Sequence, residues 1–68
     1  MNLSIRKAVI ANLNNSTYDD VRKTITDAVS TQEEKVLPGL GVIFELYWNN
    51  CSEEEKGQVI GKITKVVN

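Results

Sequence analysis

Leu37-Pro38-Gly39-Leu40-Gly41-Val42-Ile43-Phe44-Glu45-Leu46-Tyr47-Trp48-Asn49 is the stretch on which the fold turns. From about Pro38 to Asn49 it reads as a helix. At 100° per residue, Val42, Leu46, Ile43, Tyr47, Leu40, Phe44 and Trp48 cover about 240° of its circumference, and only Gly41, Glu45 and Asn49 hold the remaining strip. Its unbroken apolar run, Val42-Ile43-Phe44, is far short of the roughly 20 residues that cross a bilayer. A helix this apolar is therefore expected to be mostly buried in protein, enclosed on more than one side. Pro38 suits the first turn, where its missing N–H is not needed. Leu37 to Gly41 reads as a bend into the helix, because proline disfavours helical geometry in the residue before it.

Working upstream, Ser30…Glu33 and Thr31…Glu34 each have capping-box spacing, which predicts one further turn ending by Val36. Before it, Thr17 opens a second helix with Asp20 three residues on, and Asp19 and Asp20 complement its positive start. Tyr18, Val21, Ile25, Ala28 and Val29 make a narrow apolar stripe for the outside of a small core. The first helix is expected from a cap at Asn2 to about Leu13, with Ile5, Val9 and Leu13 on one side and Asn14-Asn15 as its stop. Downstream, Ser52 and Glu55 form a full S-x-x-E box. Glu53 to Glu55 sit at the positive end of this fourth helix, and Lys62 and Lys65 lie toward its negative end. Val59, Ile60, Ile63, Val66 and Val67 are its expected buried stripe. No segment alternates at period two. The fold class is all-α: a single small domain over residues 1–68, with three peripheral helices around a hydrophobic third.

Composition narrows the function. At 68 residues and 41% apolar, the chain can bury only roughly 60% of its unfolded surface, so stability should be marginal or shared with a partner. Eight basic against nine acidic residues give a net charge of −1, without the basic excess of a phosphate-tracking protein. Histidine is absent and there is one cysteine, which removes the usual general base, an internal disulfide and a zinc cluster. Met1 to Lys7 has no signal-peptide core, so a soluble intracellular protein without membrane contact is expected.

The residues with possible chemistry are few. Glu45, the one acid in the third helix, shares the polar strip with Asn49 and reads as a rim carboxylate. Arg6 falls at an angle between Val9, Leu13 and Ile10, so a structural ion pair with an acid of another helix is favoured over a ligand contact. Cys51 precedes a helix start but has no His to pair with, and reads as a small apolar filler. Gly39 and Gly41 lack both the strand and third glycine of a dinucleotide site and the Lys-Ser/Thr of a P-loop, so a turn-and-packing role is favoured. Gly57 and Gly61 suggest either a close backbone neighbour or an exposed, tolerated pair. Phe44, Tyr47, Trp48 and Tyr18 read as core rather than as a base-stacking platform. Arg22-Lys23, one of the two adjacent basic pairs beside Arg6-Lys7, is surrounded by Asp19, Asp20 and Asp27.

Two segments, Arg6-Lys7-Ala8-Val9-Ile10-Ala11-Asn12 and Glu33-Glu34-Lys35-Val36-Leu37-Pro38-Gly39-Leu40-Gly41-Val42-Ile43-Phe44-Glu45, carry a resemblance. With Trp48 and Ser52-Glu53-Glu54-Glu55-Lys56, they resemble the small, acid-soluble spore proteins of type I over nearly the whole chain. The positions that carry the likeness, and stand as signature or structural candidates, are Arg6, Ala8, Asn12, Leu37, Pro38, Gly39, Gly41, Phe44, Glu45 and Trp48. The resemblance implies a minor protein made in the developing forespore and retained in the spore core. It implies no enzyme, no cofactor and no catalytic residue. Nor does it bring the DNA-coating activity of the abundant α/β-type spore proteins, a different sequence family.

Residues and resemblance together lead to a non-catalytic spore-core protein that binds an unknown protein partner or itself. The alternative is an accessory DNA-binding protein using the second and third helices in a helix-turn-helix-like pair, which the net charge does not favour. A small hydrolase would need a nucleophile–base pair that the sequence lacks, and no small-molecule substrate is inferred.

Overall fold

The computed structural model describes residues 4–68. Among them there are four α-helices and no strand: α1 Ile5–Leu13, α2 Tyr18–Thr31, α3 Leu37–Asn49 and α4 Glu53–Val67, with a 3-10 turn at Glu34–Val36 leading into α3. The all-α reading holds.

Local chemistry sets most of the boundaries. Ser4 caps α1, its hydroxyl accepting from the Lys7 N–H at 3.2 Å. The cap expected at Asn2 lies outside the described residues. Asn15, in the connection that follows α1, lies in the left-handed region at φ 64°, which asparagine tolerates better than most residues. Both capping boxes form: Thr17 with Asp20, and Ser52 with Glu55, each with the hydroxyl accepting one N–H and the carboxylate accepting the other.

The region 30–41 differs from expectation. Ser30 and Thr31 lie inside α2, and their hydroxyls donate back to the Thr26 and Ala28 carbonyls instead of capping a new turn. Helix α2 stops at Gln32, which is left-handed at φ 55°. The 3-10 turn does end at Val36, as expected. Leu37 is nevertheless helical, at φ −61° and ψ −41°, with its N–H donating to the Glu34 carbonyl. Leu37 to Gly41 is therefore helix and not a bend. The preceding turn already sets helical geometry, and that outweighs the moderate pre-proline preference.

Helix α3 is the hub, packed mainly against α1 and also against the 3-10 turn and α2. Val42 is the one buried apolar residue among those described. Half-buried around it are Val9 and Leu13 of α1, Val21, Ile25 and Ala28 of α2, and Leu40, Ile43 and Leu46 of α3 itself. The expectation of a mostly buried third helix is corrected here. Phe44, Tyr47 and Leu37 keep 42%, 50% and 57% of their surface exposed. The α4 stripe is corrected too: Val59 is half-buried, but Ile60, Ile63, Val66 and Val67 are exposed. On α2, the outer members Tyr18 and Val29 also face solvent. Size explains all three. The radius of gyration is 13.4 Å, against about 11 Å for a tightly packed domain of this length. The helices lie side by side around α3 without closing over it.

One polar contact fastens α1 to α3. The Arg6 guanidinium meets the Glu45 carboxylate through two nitrogens, Nε on Oε2 and Nη2 on Oε1 at 2.7 Å. The hydrogen bonds from Arg6 hold the Glu45 carboxyl below its ordinary value of 4.5, and those to Glu45 raise the guanidinium in turn. Glu45 sits at the rim as expected, and the favoured ion pair is present.

Two outcomes follow. Because the Glu45 pKa is depressed on folding, the stability from this pair is present above the unfolded value near 4.5 and lost as pH falls through the folded value. Both groups are solvent-facing, so the effect is small and weakened by salt. Denaturant midpoints measured from pH 7 to 3 should show a shallower acid decline for Arg6→Gln than for the parent, and no coupling when Glu45→Gln is added at pH 3. Separately, a Cβ built at Gly57 or Gly61 meets no atom within 4 Å, which favours the tolerated-pair reading. Gly57→Ala and Gly61→Ala should each raise stability by about 0.5–1 kcal/mol in urea unfolding. Destabilisation by either would reveal a close neighbour.

Candidate functional site

The groups first considered for chemistry are occupied or lie apart. Cys51 is half-buried, and its Sγ donates to the Tyr47 carbonyl at 3.2 Å. Glu45 is held ionised by Arg6, so it is not poised to move a proton near neutral pH. Gly39 and Gly41 have helical backbone with negative φ inside α3, so neither is used for a turn. At Gly39 an added Cβ would reach Val9 at 4.0 Å, an ordinary contact, and at Gly41 it would meet nothing. No group of three metal-ligating side chains occurs among the described residues. No described helix is long and apolar enough to cross a membrane.

The feature that stands out is an aromatic and apolar face where α3 meets α4. Phe44 contacts the Tyr47 ring edge-on at 6.1 Å between centroids, and Trp48 at 5.9 Å. Trp48 is half-buried beneath Lys56, whose Nζ lies 5.4 Å from the ring centroid. Beside this cluster runs an open groove of about 410 Å³, with Phe44, Tyr47, Val59 and Ile63 along it and Glu55, Gln58 and Lys62 at its border. The Ser52 backbone N–H, with its side chain, holds the Glu55 carboxyl below the ordinary range. The expectation that Phe44, Tyr47 and Tyr18 are core is thus overturned. The side of α3 carrying Phe44 and Tyr47 faces α4, which covers it only along one edge.

The candidate positions fall into three places. Arg6, Pro38, Gly41 and Glu45 line one side of the α1–α3 junction. Asn12 and Gly39 lie on the opposite side, in a cleft of about 280 Å³ shared with Val9, Ala28 and Ile43. Phe44 and Trp48 belong to the aromatic cluster. Ala8 and Leu37 are exposed and lie in none of these. Sequence reasoning did not single out Lys56, Val59 or Ile63 as part of a surface. The available signal was the apolar arc of α3 itself, too wide for three small neighbours to cover.

Basic side chains form no continuous track. Arg6 is engaged by Glu45, Lys23 by Asp27 at 3.1 Å, Lys35 by Glu33 at 3.0 Å and Lys56 by Glu53 at 3.6 Å.

Comparison with known proteins agrees with this chain over its whole length. The family model for small, acid-soluble spore protein I matches residues 3–67. A protein of that name from Halalkalibacterium halodurans is 48% identical over 65 residues, covering 96% of both chains. Its counterpart in Shouchella clausii is 43% identical over 68 residues, 100% of this chain and 99% of the relative. One from Bacillus cereus is 47% identical over 60 residues, 88% of this chain and 87% of its own. No solved structure matches the chain. With the family model spanning nearly every residue and relatives this similar end to end, the chain belongs to the small, acid-soluble spore protein I family.

Proposed function

We propose that this spore protein is non-catalytic, resides in the spore core and acts by binding another protein chain through the α3–α4 face. The observation that carries the reading is the exposure of Phe44 and Tyr47, at 42% and 50%, beside an apolar stripe on α4 that is also open. Large aromatic side chains in contact with one another and bordered by charged residues are the composition of a protein-binding surface. The absence of histidine from the chain, and the engagement of Glu45 and Cys51 in local contacts, support a non-catalytic role.

The DNA-binding alternative draws less support. Four of the eight basic side chains are engaged by acids within the chain, and the net charge is −1. Few cations are left to displace counterions from a phosphate backbone.

A photo-crosslinking residue placed at Phe44, with a control at Asp19, an exposed residue of α2 outside the groove, tests the proposal in intact spores. Protein adducts should form from position 44, not from position 19, and should fractionate with the spore core. Empty lanes at position 44, or recovery of the chain from the outer layers, would count against the reading. In parallel, a mobility-shift titration should show no salt-sensitive complex with duplex DNA; one that dissolves steeply between low and moderate salt would favour the alternative.

A further inference from the structure

The α3–α4 face also carries information about what covers it, and the step taken here rests on the partner-binding reading above. Around α4, at 100° per residue, Val59, Ile60, Ile63, Val66 and Val67 span about 120°. Glu55 and Lys62 lie together on one border of that stripe, about 20° apart and two turns apart along the axis. Glu53, Glu54 and Glu55 stand in the first turn and Lys62 and Lys65 in the last two, and Lys56, the one cation near the acidic end, is taken up by Glu53 and the Trp48 ring. Neither Lys62 nor Lys65 has an acidic partner in the described chain.

This arrangement selects one occupant and one orientation. A second α4 laid parallel to the first would stack one glutamate triad on another. Laid antiparallel, it sets each acidic end against a basic end, with the helix dipoles also opposed. The surface is then self-complementary, as a two-fold interface requires. We infer that two copies of this chain pair about a two-fold axis through their α3–α4 faces, with the α4 helices antiparallel and Glu55 of each copy beside Lys62 of the other. Phe44, Tyr47, Val59 and Ile63 form the buried centre. Glu55 keeps one carboxylate oxygen on the Ser52 N–H, at 2.8 Å, and presents the other to the second copy. In this register Val66 falls level with Cys51 of the second copy.

A stable dimer takes about 800 Å² from each partner, roughly a seventh of the 5898 Å² that this chain exposes. Two helices side by side, each about 20 Å long and about 10 Å wide, give a flat footprint of about 400 Å², so side-chain relief and the flanking connections must supply the rest.

Sedimentation equilibrium of the full chain tests the pairing, with circular dichroism confirming that each variant stays helical. The parent should be a dimer that weakens with added salt. Lys62→Glu creates two Glu–Glu contacts across the axis and Glu55→Lys creates two Lys–Lys contacts, so each should raise the dissociation constant about tenfold or more. An equimolar mixture of the two variants should regain the dimer, because the mixed pair has two Glu–Lys contacts and no like-charge ones. Val66→Asp, at a residue 80% exposed within one chain, should weaken the dimer while leaving helicity unchanged, and it keeps the test intact if Glu55→Lys costs α4 its cap. A monomeric parent, a dimer indifferent to these substitutions, or a mixture that stays monomeric overturns the inference. Should the parent be monomeric while a crosslinker at position 44 traps a different protein in spores, self-pairing falls and partner binding stands.

Discussion

Too little chain surrounds α3 for its apolar surface to be covered, and the rest of the structure is arranged around that shortage. An apolar arc of about 240° calls for neighbours on at least two sides. Helix α1, the 3-10 turn and α2 supply one of them and bury Val42. The Arg6–Glu45 pair closes the polar border of that junction. On the other side stands only α4, joined through Trp48 and Lys56 and half-burying Val59. What remains uncovered is the strip that holds Phe44 and Tyr47.

This division makes α4 the most independent element. It has a complete capping box, three acids in its first turn and a lysine in its last, all of which stabilise a helix without any tertiary partner. Its packing against α3 is comparatively slight. An element stabilised locally and held lightly opens at lower free energy than the α1–α3 junction. Such an element is also free to exchange solvent for a partner's surface without disturbing the small core.

The sequence was most legible where a few neighbouring residues decide the outcome. The boxes at Thr17–Asp20 and Ser52–Glu55, the stop at Asn14-Asn15 and the four-helix count depend on contacts within one turn. The Arg6 pairing could be anticipated because a charged side chain on an apolar face must find an acid or reach water. It was in burial that the reading failed. Periodicity tells which residues share a face, but it carries no information on whether enough chain exists to cover that face. Phe44, Tyr47, Ile63 and Val66 sit on the expected faces and are exposed all the same. The bend expected at Leu37 failed for a different and local reason: the 3-10 turn at Glu34–Val36 already holds helical geometry, and the Glu34 carbonyl accepts the Leu37 N–H.

Charge arithmetic gives physical sense to the family's name. At neutral pH the eight basic and nine acidic side chains nearly cancel, and the isoelectric point is about 5.3. In acid the nine carboxyls protonate and the eight cations remain, so the net charge moves from −1 to +8 on 68 residues. The same protonation weakens the Arg6–Glu45 contact and the Glu55 half of the Ser52 box, the two carboxyls that their partners hold below the ordinary range. A chain with one buried apolar residue among those described has little holding it compact against that repulsion. A chain so highly charged, with so small a core among the described residues, is expected to repel its own copies in acid and stay dissolved, which is what the family's name says of its members.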